Sequence, residues 1–246
     1  MHLQDQRWAT FVSRFRSGEW RTPIFYDMVM TDLGSSERIG NATVVDVGCG
    51  KGFDCDPTYQ RRLGQAAAMF IGIEPDINIQ LDPSFHVTHR GTLETATIDE
   101  NSVDICYSVM VLEHVLEPQM FWRKVHAVLR PGGVCWGFTV DSSHWFARFS
   151  TLAERMRIKG TYLNWLLGTG TGERYENYPT HYGSNTPEQI EVLTSGFERV
   201  DVIFLKCPGQ TRSYFPERLR WISDVMDRVF SVDTRRGANL AIRVQK

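Results

Sequence analysis

The glycine-rich segment that begins at Asp46 carries the residues best suited to chemistry in this chain. Asp46 is followed at every second position by a glycine, at Gly48, Gly50 and Gly52, and the segment comes directly after a β-branched run at 43–47. Spaced glycines at the end of a strand let the backbone approach a ligand closely. The acid suits a ligand with a cationic amino group and suits a pyrophosphate poorly.

The glycine spacing separates this segment from two common phosphate-binding loops. A dinucleotide loop, G-x-G-x-x-G, would place its third glycine at the position of Phe53. A P-loop would need Ser or Thr directly after its Gly-Lys pair, whereas Lys51 is followed by Gly52. A nicotinamide-dependent oxidoreductase or epimerase is therefore kept as the alternative enzyme class. A non-catalytic protein that retains a cofactor-binding fold is the second alternative.

A second acid follows the next apolar run. Glu74 comes directly after the run at 69–73, where an acid at the end of a strand can accept both hydroxyls of a ribose. This position fits any adenosine cofactor, and Asp76 is the alternative residue for the role.

Short apolar runs alternate with helical patterns along most of the chain. This alternation predicts an α/β fold with a mostly parallel sheet and helices on both faces. Helical pattern resumes after the cap sequence that begins at Thr186, and an amphipathic helix is predicted at 217–230. An earlier helix is predicted to start with Thr22 as its N-cap. The strands are predicted at residues 43–47, 69–73, 85–88, 103–108, 134–140, 200–205 and 239–244.

The alternation pauses over residues 141–185, which are dense in aromatic side chains. A segment that follows the fifth strand of such a sheet emerges near the ligand-binding edge. We predict a single domain over residues 1–246 with 141–185 inserted as a substrate lid. A glycan or sugar-bearing lipid would suit this segment, and a flat aromatic acceptor fits nearly as well. Its aromatic residues are Trp145, Phe146, Phe149, Tyr162, Trp165, Tyr175, Tyr178 and Tyr182.

Composition and charge exclude several classes. The 246 residues are 42% hydrophobic and carry a formal net charge of −2, which argues against a disordered chain and against a broad basic face for nucleic acid. No apolar stretch is long enough to span a membrane, and no signal peptide is visible, so a cytoplasmic location is expected.

Five scattered cysteines predict no disulfide framework. No metal-ligand spacing is visible, and Asp54 and Asp56 are interpreted as solvent or helix-start acids, so the protein is predicted to bind no metal. The helix at 217–230 is expected to pack its apolar side on the sheet; peripheral membrane contact there is the alternative hypothesis, because Trp221 lies beside arginines.

Five segments together resemble a known family, the class I S-adenosylmethionine-dependent methyltransferases of the broad small-molecule type. The resemblance spans residues 43–140 and 186–246 in order and spacing. It implies a Rossmann-like seven-stranded sheet in the order 3-2-1-4-5-7-6, with the last strand antiparallel, and S-adenosyl-L-methionine as cofactor. The segments are VVDVGCGKG, IGIEPD, VDICYSVMVLEHV, LRPGGVCWGFTV and TSGFERVDVIF.

The resemblance also implies roles for individual residues around the cofactor. Thr92 stands where the family usually has an acid beside adenine, and there Leu93 can contribute apolar and backbone contacts. The residues implied are Asp46, Gly48 and Gly50 for the methionine portion, Gly52 for close approach of the helix, Glu74 for the ribose, Thr92 and Leu93 for adenine, and Ser108 and Met110 for the sulfonium and methyl group.

Three histidines are candidates for a general base. A methyl transfer needs a base only when the nucleophile must lose a proton, as a hydroxyl does, and histidine serves best near neutral pH. His114 follows the fourth strand, His144 follows the fifth, and His181 precedes a helix. A structural or surface role is the alternative for each, and Glu113 is expected to fix its loop. The prediction is methyl transfer to a small-molecule or glycan-type acceptor, with oxygen as the methylated atom.

Overall fold

A mostly parallel eight-stranded sheet forms the centre of the protein in the computed structural model. The strands run in the order β4-β3-β2-β5-β6-β8-β7-β1, and β8 is antiparallel to both of its neighbours. The structure describes residues 2–3, 6–34, 38–145, 147–148, 178–207, 215, 217–230 and 239–246. The strands are β1 (His2–Leu3), β2 (Thr43–Val47), β3 (Met69–Glu74), β4 (Val87–Arg90), β5 (Val103–Val109), β6 (Leu129–Val140), β7 (Arg199–Leu205) and β8 (Asn239–Gln245).

The seven strands from β2 to β8 confirm the predicted order 3-2-1-4-5-7-6 and the antiparallel last strand. The short strand β1 is an addition that the sequence patterns did not predict. It pairs in parallel with β7, opposite Asp201 and Val202. It extends the sheet at the edge farthest from β4 and leaves the central strands unchanged.

Six helices accompany the sheet in the described ranges. Their ends follow local chemistry: the Asp56 side chain accepts from the amide of Thr58 at the start of α3, and Thr186 with Gln189 forms a capping box at the start of α5. The helices are α1 (Ala9–Arg16), α2 (Arg21–Leu33), α3 (Pro57–Ala66), α4 (Pro118–Val128), α5 (Pro187–Leu193) and α6 (Arg220–Phe230), and 3-10 turns span Gln6–Trp8, Leu112–His114 and Glu217–Leu219.

Two apolar clusters bury the two faces of the sheet. On one face, α1, α2 and α3 contribute side chains such as Phe25, which stacks on Phe138 of β6 with ring centroids 4.2 Å apart. On the other face, Trp122 and Val125 of α4 pack with the alternate strand residues. Helices on both faces are what the strand–helix alternation predicted. No helix among the described residues is both long and apolar enough to cross a membrane.

Three local expectations differ from the structure. The third strand begins at Val87 instead of 85, because Phe85 turns inward and stacks on Phe70 at 4.4 Å. The fifth strand begins at Leu129 instead of 134, because β6 continues through the Pro-Gly-Gly sequence, and its pairing with β5 shifts register after Val103. Thr22 does not cap α2, which begins at Arg21. Its hydroxyl donates to a carboxylate of the glycine-rich loop instead, as described below.

A buried ionic network ties α2 to the sheet. Asp32, near the end of α2, accepts two hydrogen bonds from the Arg243 guanidinium of β8, at 2.7 and 2.8 Å, and a third from Trp136 Nε1 at 2.9 Å. The Arg243 side chain is only 5% exposed, so its charge depends on this carboxylate.

Replacing Asp32 by alanine is expected to lower the free energy of unfolding by about 3 kcal/mol, because it leaves a buried guanidinium without its closest counter-charge. Urea unfolding followed by circular dichroism measures the change. Asp27→Ala is the control on the same helix, since Asp27 forms a partly exposed ion pair with Arg14 worth less than about 1 kcal/mol. Equal losses in the two variants would contradict the assignment.

Candidate functional site

The loops that follow β2, β3, β5 and β6 meet at one edge of the sheet, where the carboxyl ends of its parallel strands lie. Ligands of open α/β sheets bind at this edge. The glycine-rich loop after β2 folds against β3, because the amides of Gly48 and Cys49 both donate to the carbonyl oxygen of Ile73, at 2.8 and 3.0 Å. This edge is therefore the candidate site.

Two glycines of the loop are required by its geometry. Gly48 has a φ of +70°, and a Cβ there would collide with the Val111 side chain. Gly52 has a φ of +125°, and a Cβ there would lie 2.5 Å from the backbone nitrogen of Pro57. Gly50 differs, since the nearest atom to its Cβ position is 3.7 Å away, on Glu74. The loop is thus closed onto the protein at its two ends and borders free space at Gly50.

Glu74 joins the first two loops. One carboxylate oxygen, Oε2, accepts from the amide of Gly50 at 2.8 Å, and the other, Oε1, accepts from the amide of Asp76 at 2.9 Å. A carboxylate has about four acceptor positions, so each oxygen retains one for a further donor. The arrangement fits two adjacent hydroxyl groups, such as those of a ribose.

Asp46 is buried beneath the loop with an asymmetric set of partners. Its Oδ2 accepts from both Gln60 Nε2 at 2.9 Å and the Tyr107 hydroxyl at 2.7 Å. No described residue donates to Oδ1. The pKa of Asp46 is raised to about 7, mainly by burial and in smaller part by the charge of Glu74, while the two hydrogen bonds act to lower it. A cation placed beside Oδ1 would stabilise the ionised form, so the site fits an amino group.

The two residues predicted beside adenine have different environments. Thr92 is exposed, and its amide and carbonyl group both bond to the side chain of Thr95. Leu93 is 1% exposed and belongs to the core of the α4 face. Their contact with adenine stays a prediction, with Thr92 on the surface side of the turn and Leu93 below it.

Ser108 and Met110 lie at the end of β5. Ser108 pairs in register with Val47, so its side chain shares that residue's face of the sheet, opposite to Asp46. It is buried, and its Oγ has no hydrogen-bond partner among the described residues. Met110 has a φ of +56°, while its amide donates to the Phe138 carbonyl oxygen. A left-handed residue at a strand end is strain typical of functional sites. Their predicted contact with a sulfonium stays a prediction.

His114 has one ring nitrogen committed to the backbone. Its Nδ1 lies 2.9 Å from the carbonyl oxygen of Pro179. A carbonyl oxygen only accepts, so Nδ1 carries the proton of this bond and Nε2 is the unprotonated nitrogen of the neutral ring. The ring also meets Tyr178 edge-on, with centroids 5.9 Å apart. This tautomer is the one that leaves Nε2 able to take a proton.

The other two candidate histidines are held differently. The His181 side chain is exposed, and its amide donates to the carbonyl oxygen of Glu113 at 2.7 Å, which brings it next to His114. His144 is half-buried beside Trp145, and its amide donates to the Asp141 carbonyl oxygen. The structure therefore brings His181 to the turn that carries His114. Of the predicted lid, residues 146 and 149–177 lie outside the described residues.

Glu113 fixes its loop, as predicted. Its Oε2 accepts from the Thr139 hydroxyl at 2.7 Å. The Thr139 Oγ1 in turn accepts from Asn185 Nδ2 at 2.6 Å. Burial raises the pKa of Glu113. Thr139 and Asn185 were not predicted as part of the site, and no local pattern marks them, since they meet Glu113 only through the fold.

An ion pair closes α2 onto the glycine-rich loop. The Arg21 guanidinium donates twice to Asp54, at 2.7 and 3.0 Å, and the Thr22 hydroxyl donates to the same carboxylate. The interpretation of Asp54 as a solvent or helix-start acid is therefore wrong, because its side chain is buried under these three donors. Asp56 is a helix-start acid, as predicted. In the described part of the chain no three His, Cys, Asp or Glu side chains come together as a metal site.

Comparison with known proteins agrees with this geometry. Residues 45–137 match the family model described as a methyltransferase domain. A curated relative from Mycobacteroides abscessus, described as an uncharacterized methyltransferase, is 34% identical over 123 residues, which cover 43% of this chain and 44% of the relative. A ubiquinone biosynthesis O-methyltransferase from Bradyrhizobium diazoefficiens is 27% identical over 110 residues, 42% of each chain. The chain thus spans less than half the length of these two relatives.

A solved structure matches nearly the whole chain. The protein from Thermotoga maritima described as an S-adenosylmethionine-dependent methyltransferase, possibly a histamine N-methyltransferase, has a TM-score of 0.54 and 16% identity, covering 98% of this chain and 93% of its own. At that identity the likeness concerns the fold. Residues 45–137 thus match a methyltransferase domain, and the strand order is the one implied by the resemblance to the class I S-adenosylmethionine-dependent methyltransferases.

Proposed function

We propose that this protein transfers the methyl group of S-adenosyl-L-methionine to an oxygen atom of a small-molecule or glycan-type acceptor in the cytoplasm. The observation that carries the proposal is Glu74, which bridges the loops after β2 and β3 and keeps an acceptor position on each carboxylate oxygen. Asp46 lies at the same edge of the sheet, and its Oδ1 would pair with a cationic amino group. These two acids fit the ribose and the α-ammonium group of this cofactor.

The cofactor, when bound, supplies a methyl group on a positively charged sulfur. The chain's own contribution is positioning and the removal of a proton. The glycine-rich loop is packed closely against the protein at Gly48 and Gly52, which holds it in place. Placing the two reactants in a fixed geometry accounts for most of the rate enhancement in such a displacement. His114 Nε2 would take the proton of an acceptor hydroxyl as the new bond forms.

Two observations support oxygen as the methylated atom. His114 is held in the tautomer with a free Nε2, which a hydroxyl acceptor needs and an already deprotonated amine does not. One relative, from Bradyrhizobium diazoefficiens, is described as an O-methyltransferase. Two described aromatic side chains follow β6: Tyr178 meets His114 edge-on, and Trp145 lies beside His144. They support an acceptor with a flat or sugar-like face.

Calorimetry with S-adenosylmethionine, S-adenosylhomocysteine and NAD tests the proposal. We expect the two methionine-derived ligands to bind and NAD not to bind. Glu74→Gln should weaken cofactor binding about 10- to 100-fold, because it replaces charge-assisted hydrogen bonds. Glu100→Gln, an exposed acid outside the site, is the matched control. Binding of NAD alone would favour the oxidoreductase alternative, and cofactor binding without transfer to any acceptor pool would favour a non-catalytic protein.

Cofactor affinity is expected to rise as the pH increases from 6 towards 7 and to level off above it. The pKa of Asp46 is raised to about 7 in the folded protein, so the carboxyl is mostly protonated at pH 6 and must release its proton to pair with an ammonium group. Calorimetry in buffers of different ionisation enthalpy should detect release of nearly one proton at pH 6 and less than about a tenth of one at pH 8.

The same shift has the opposite sign for the protein without ligand. A raised pKa means that the folded state binds the proton more tightly than the unfolded state, so the stability from Asp46 is present below pH 3.8 and is lost as the pH rises through about 7. Asp46→Asn should remove both pH dependences. Proton release that persists in this variant would show that another group is responsible.

The exposed side of α6 supports the peripheral membrane contact. Trp221, Val225 and Val229 recur at every fourth position and are all exposed, and Arg218 and Arg220 stand beside them. We expect co-sedimentation with vesicles that contain anionic lipid, reduced several-fold by Trp221→Ala. Trp20→Ala, which removes an exposed tryptophan in front of α2, is the control. Absence of binding by the unmodified protein removes this part of the proposal.

A further inference from the structure

Tyr178 and Pro179 connect the ribose side of the site to the candidate base. The Tyr178 hydroxyl donates to Asp76 Oδ2 at 2.8 Å, and the amide of Asp76 donates to Glu74. The carbonyl oxygen of Pro179 accepts from His114 Nδ1. Two consecutive residues therefore span the distance between the loop after β3 and the 3-10 turn after β5.

We propose that Tyr178 is a positioning residue that acts through His114. By bonding to Asp76 it holds the Pro179 carbonyl group against Nδ1, and this contact keeps the neutral imidazole in the tautomer whose Nε2 is free. The inference rests on the proposed function for its role in methyl transfer, but the tautomer itself is a property of the chain without any ligand.

The segment 178–185, here called the strap, is held at two points on either side of Pro179. After Pro179, the amides of His181 and Tyr182 donate to the carbonyl oxygen of Glu113, at 2.7 and 3.3 Å. Before it, the Tyr178 hydroxyl bonds to the loop after β3. Pro179 has no amide hydrogen of its own to donate. Loss of the Tyr178 hydroxyl bond therefore removes one of the two contacts that place the Pro179 carbonyl group.

The charged and titratable groups around His114 are unchanged when the hydroxyl alone is removed. Glu113 is its neighbour on the same turn, and Arg21 of α2 acts on the Glu113 carboxyl through its charge. Tyr178 and Asp76 approach from the strap and the loop after β3. Because Tyr178→Phe leaves each of these charges in place, a change at the His114 ring in that variant reports its orientation.

Nitrogen-15 NMR of the histidine rings in the full chain tests the proposal directly. The His114 signals are assigned by their loss in His114→Gln. We expect the unmodified protein to show the Nδ1-protonated tautomer, and Tyr178→Phe to lower the ratio of this tautomer to the other about fivefold, as expected for the loss of one ordinary hydrogen bond. Tyr59→Phe, which removes a hydroxyl on α3, is the matched control and should leave the ratio unchanged.

A second variant tests whether Tyr178 acts on His114 through its bond to Asp76. Asp76→Ala removes the acceptor of the Tyr178 bond, and it should change the tautomer ratio as much as Tyr178→Phe, with no further change in the double variant. Additive effects, or an unchanged ratio in a Tyr178→Phe protein with an unchanged melting temperature, would overturn the inference. Calorimetry with S-adenosylhomocysteine on the same samples separates the two proposals: failure of all samples to bind counts against the proposed function, whereas the tautomer result stands by itself.

Discussion

Replacing Gly52 by alanine is expected to lower the free energy of unfolding by about 4 kcal/mol and to abolish cofactor binding. The added Cβ would lie 2.5 Å from the backbone nitrogen of Pro57 and 2.6 Å from the carbonyl carbon of Asp56. Backbone atoms cannot rotate away as a side chain can, so the start of α3 must move. The φ of +125° adds strain, because residues with a side chain rarely adopt it.

A second glycine separates the two contributions to this loss. Gly18 has a φ of +94° and nothing within 4 Å of its Cβ position, so Gly18→Ala carries the backbone strain without the collision. We expect it to cost about 1 to 2 kcal/mol and to leave cofactor binding intact. Urea unfolding and calorimetry with S-adenosylhomocysteine measure both variants. A Gly52→Ala protein as stable as Gly18→Ala would contradict the close approach of loop and helix.

The sheet was largely predictable because its central strands are uniform in chemistry. The run at 43–47 is apolar and β-branched, it ends at glycine, and it has the bounds of β2. Strands without such a run were missed or shifted. The β1 residues His2–Leu3 carry no pattern, and their strand exists only through pairing with β7. In β4, the exposed Val87 and Thr88 give no apolar alternation, so the neighbouring Phe85 was assigned to the strand although it packs elsewhere.

The site was predictable only as far as its motifs are local. Asp46 and Glu74 stand at the ends of strands, so their position at the edge of the sheet follows from the strand assignments. Their partners do not follow. Tyr107 bonds to Asp46 across 61 residues, and Tyr178 bonds to Asp76 across 102. Such contacts depend on how strands and loops are brought together in space, and a single sequence has no spacing that reports them.

The ion-pair partner of Asp54 could not be predicted for the same reason, because it is distant in the sequence. Asp54 was interpreted as a solvent or helix-start acid because nothing within its own loop pairs with it. Arg21, 33 residues earlier, supplies the partner, and it does so from the first turn of α2. The side chain that was predicted to cap this helix, Thr22, joins the same pair. Because the helix already begins at Arg21, Thr22 lies inside its first turn and not at the N-cap, and its hydroxyl donates to the buried carboxylate.

His114→Ala is expected to lower kcat for an oxygen acceptor at least about 100-fold, whereas His144→Ala and His181→Ala should change it less than about threefold. His114 has its Nδ1 fixed by the carbonyl oxygen of Pro179, which leaves Nε2 as the proposed proton acceptor. His181 is held through its backbone and exposes its ring, and His144 lies beside Trp145. Rates are measured as S-adenosylhomocysteine formed with an acceptor found in a pool of hydroxylated compounds.

The affinity for S-adenosylmethionine shows whether His114→Ala has removed only the general base or has also disrupted the cofactor site. Because the proposed role of His114 concerns the acceptor and its loss leaves Asp46 and Glu74 in place, the dissociation constant of S-adenosylmethionine should stay within about twofold in His114→Ala. His126→Ala on α4 is the control for loss of a ring that packs on an aromatic side chain, since His126 meets Phe197 at 5.1 Å. Full activity in all three site variants would contradict a histidine base and leave positioning of the acceptor hydroxyl against the methyl group as the source of the rate.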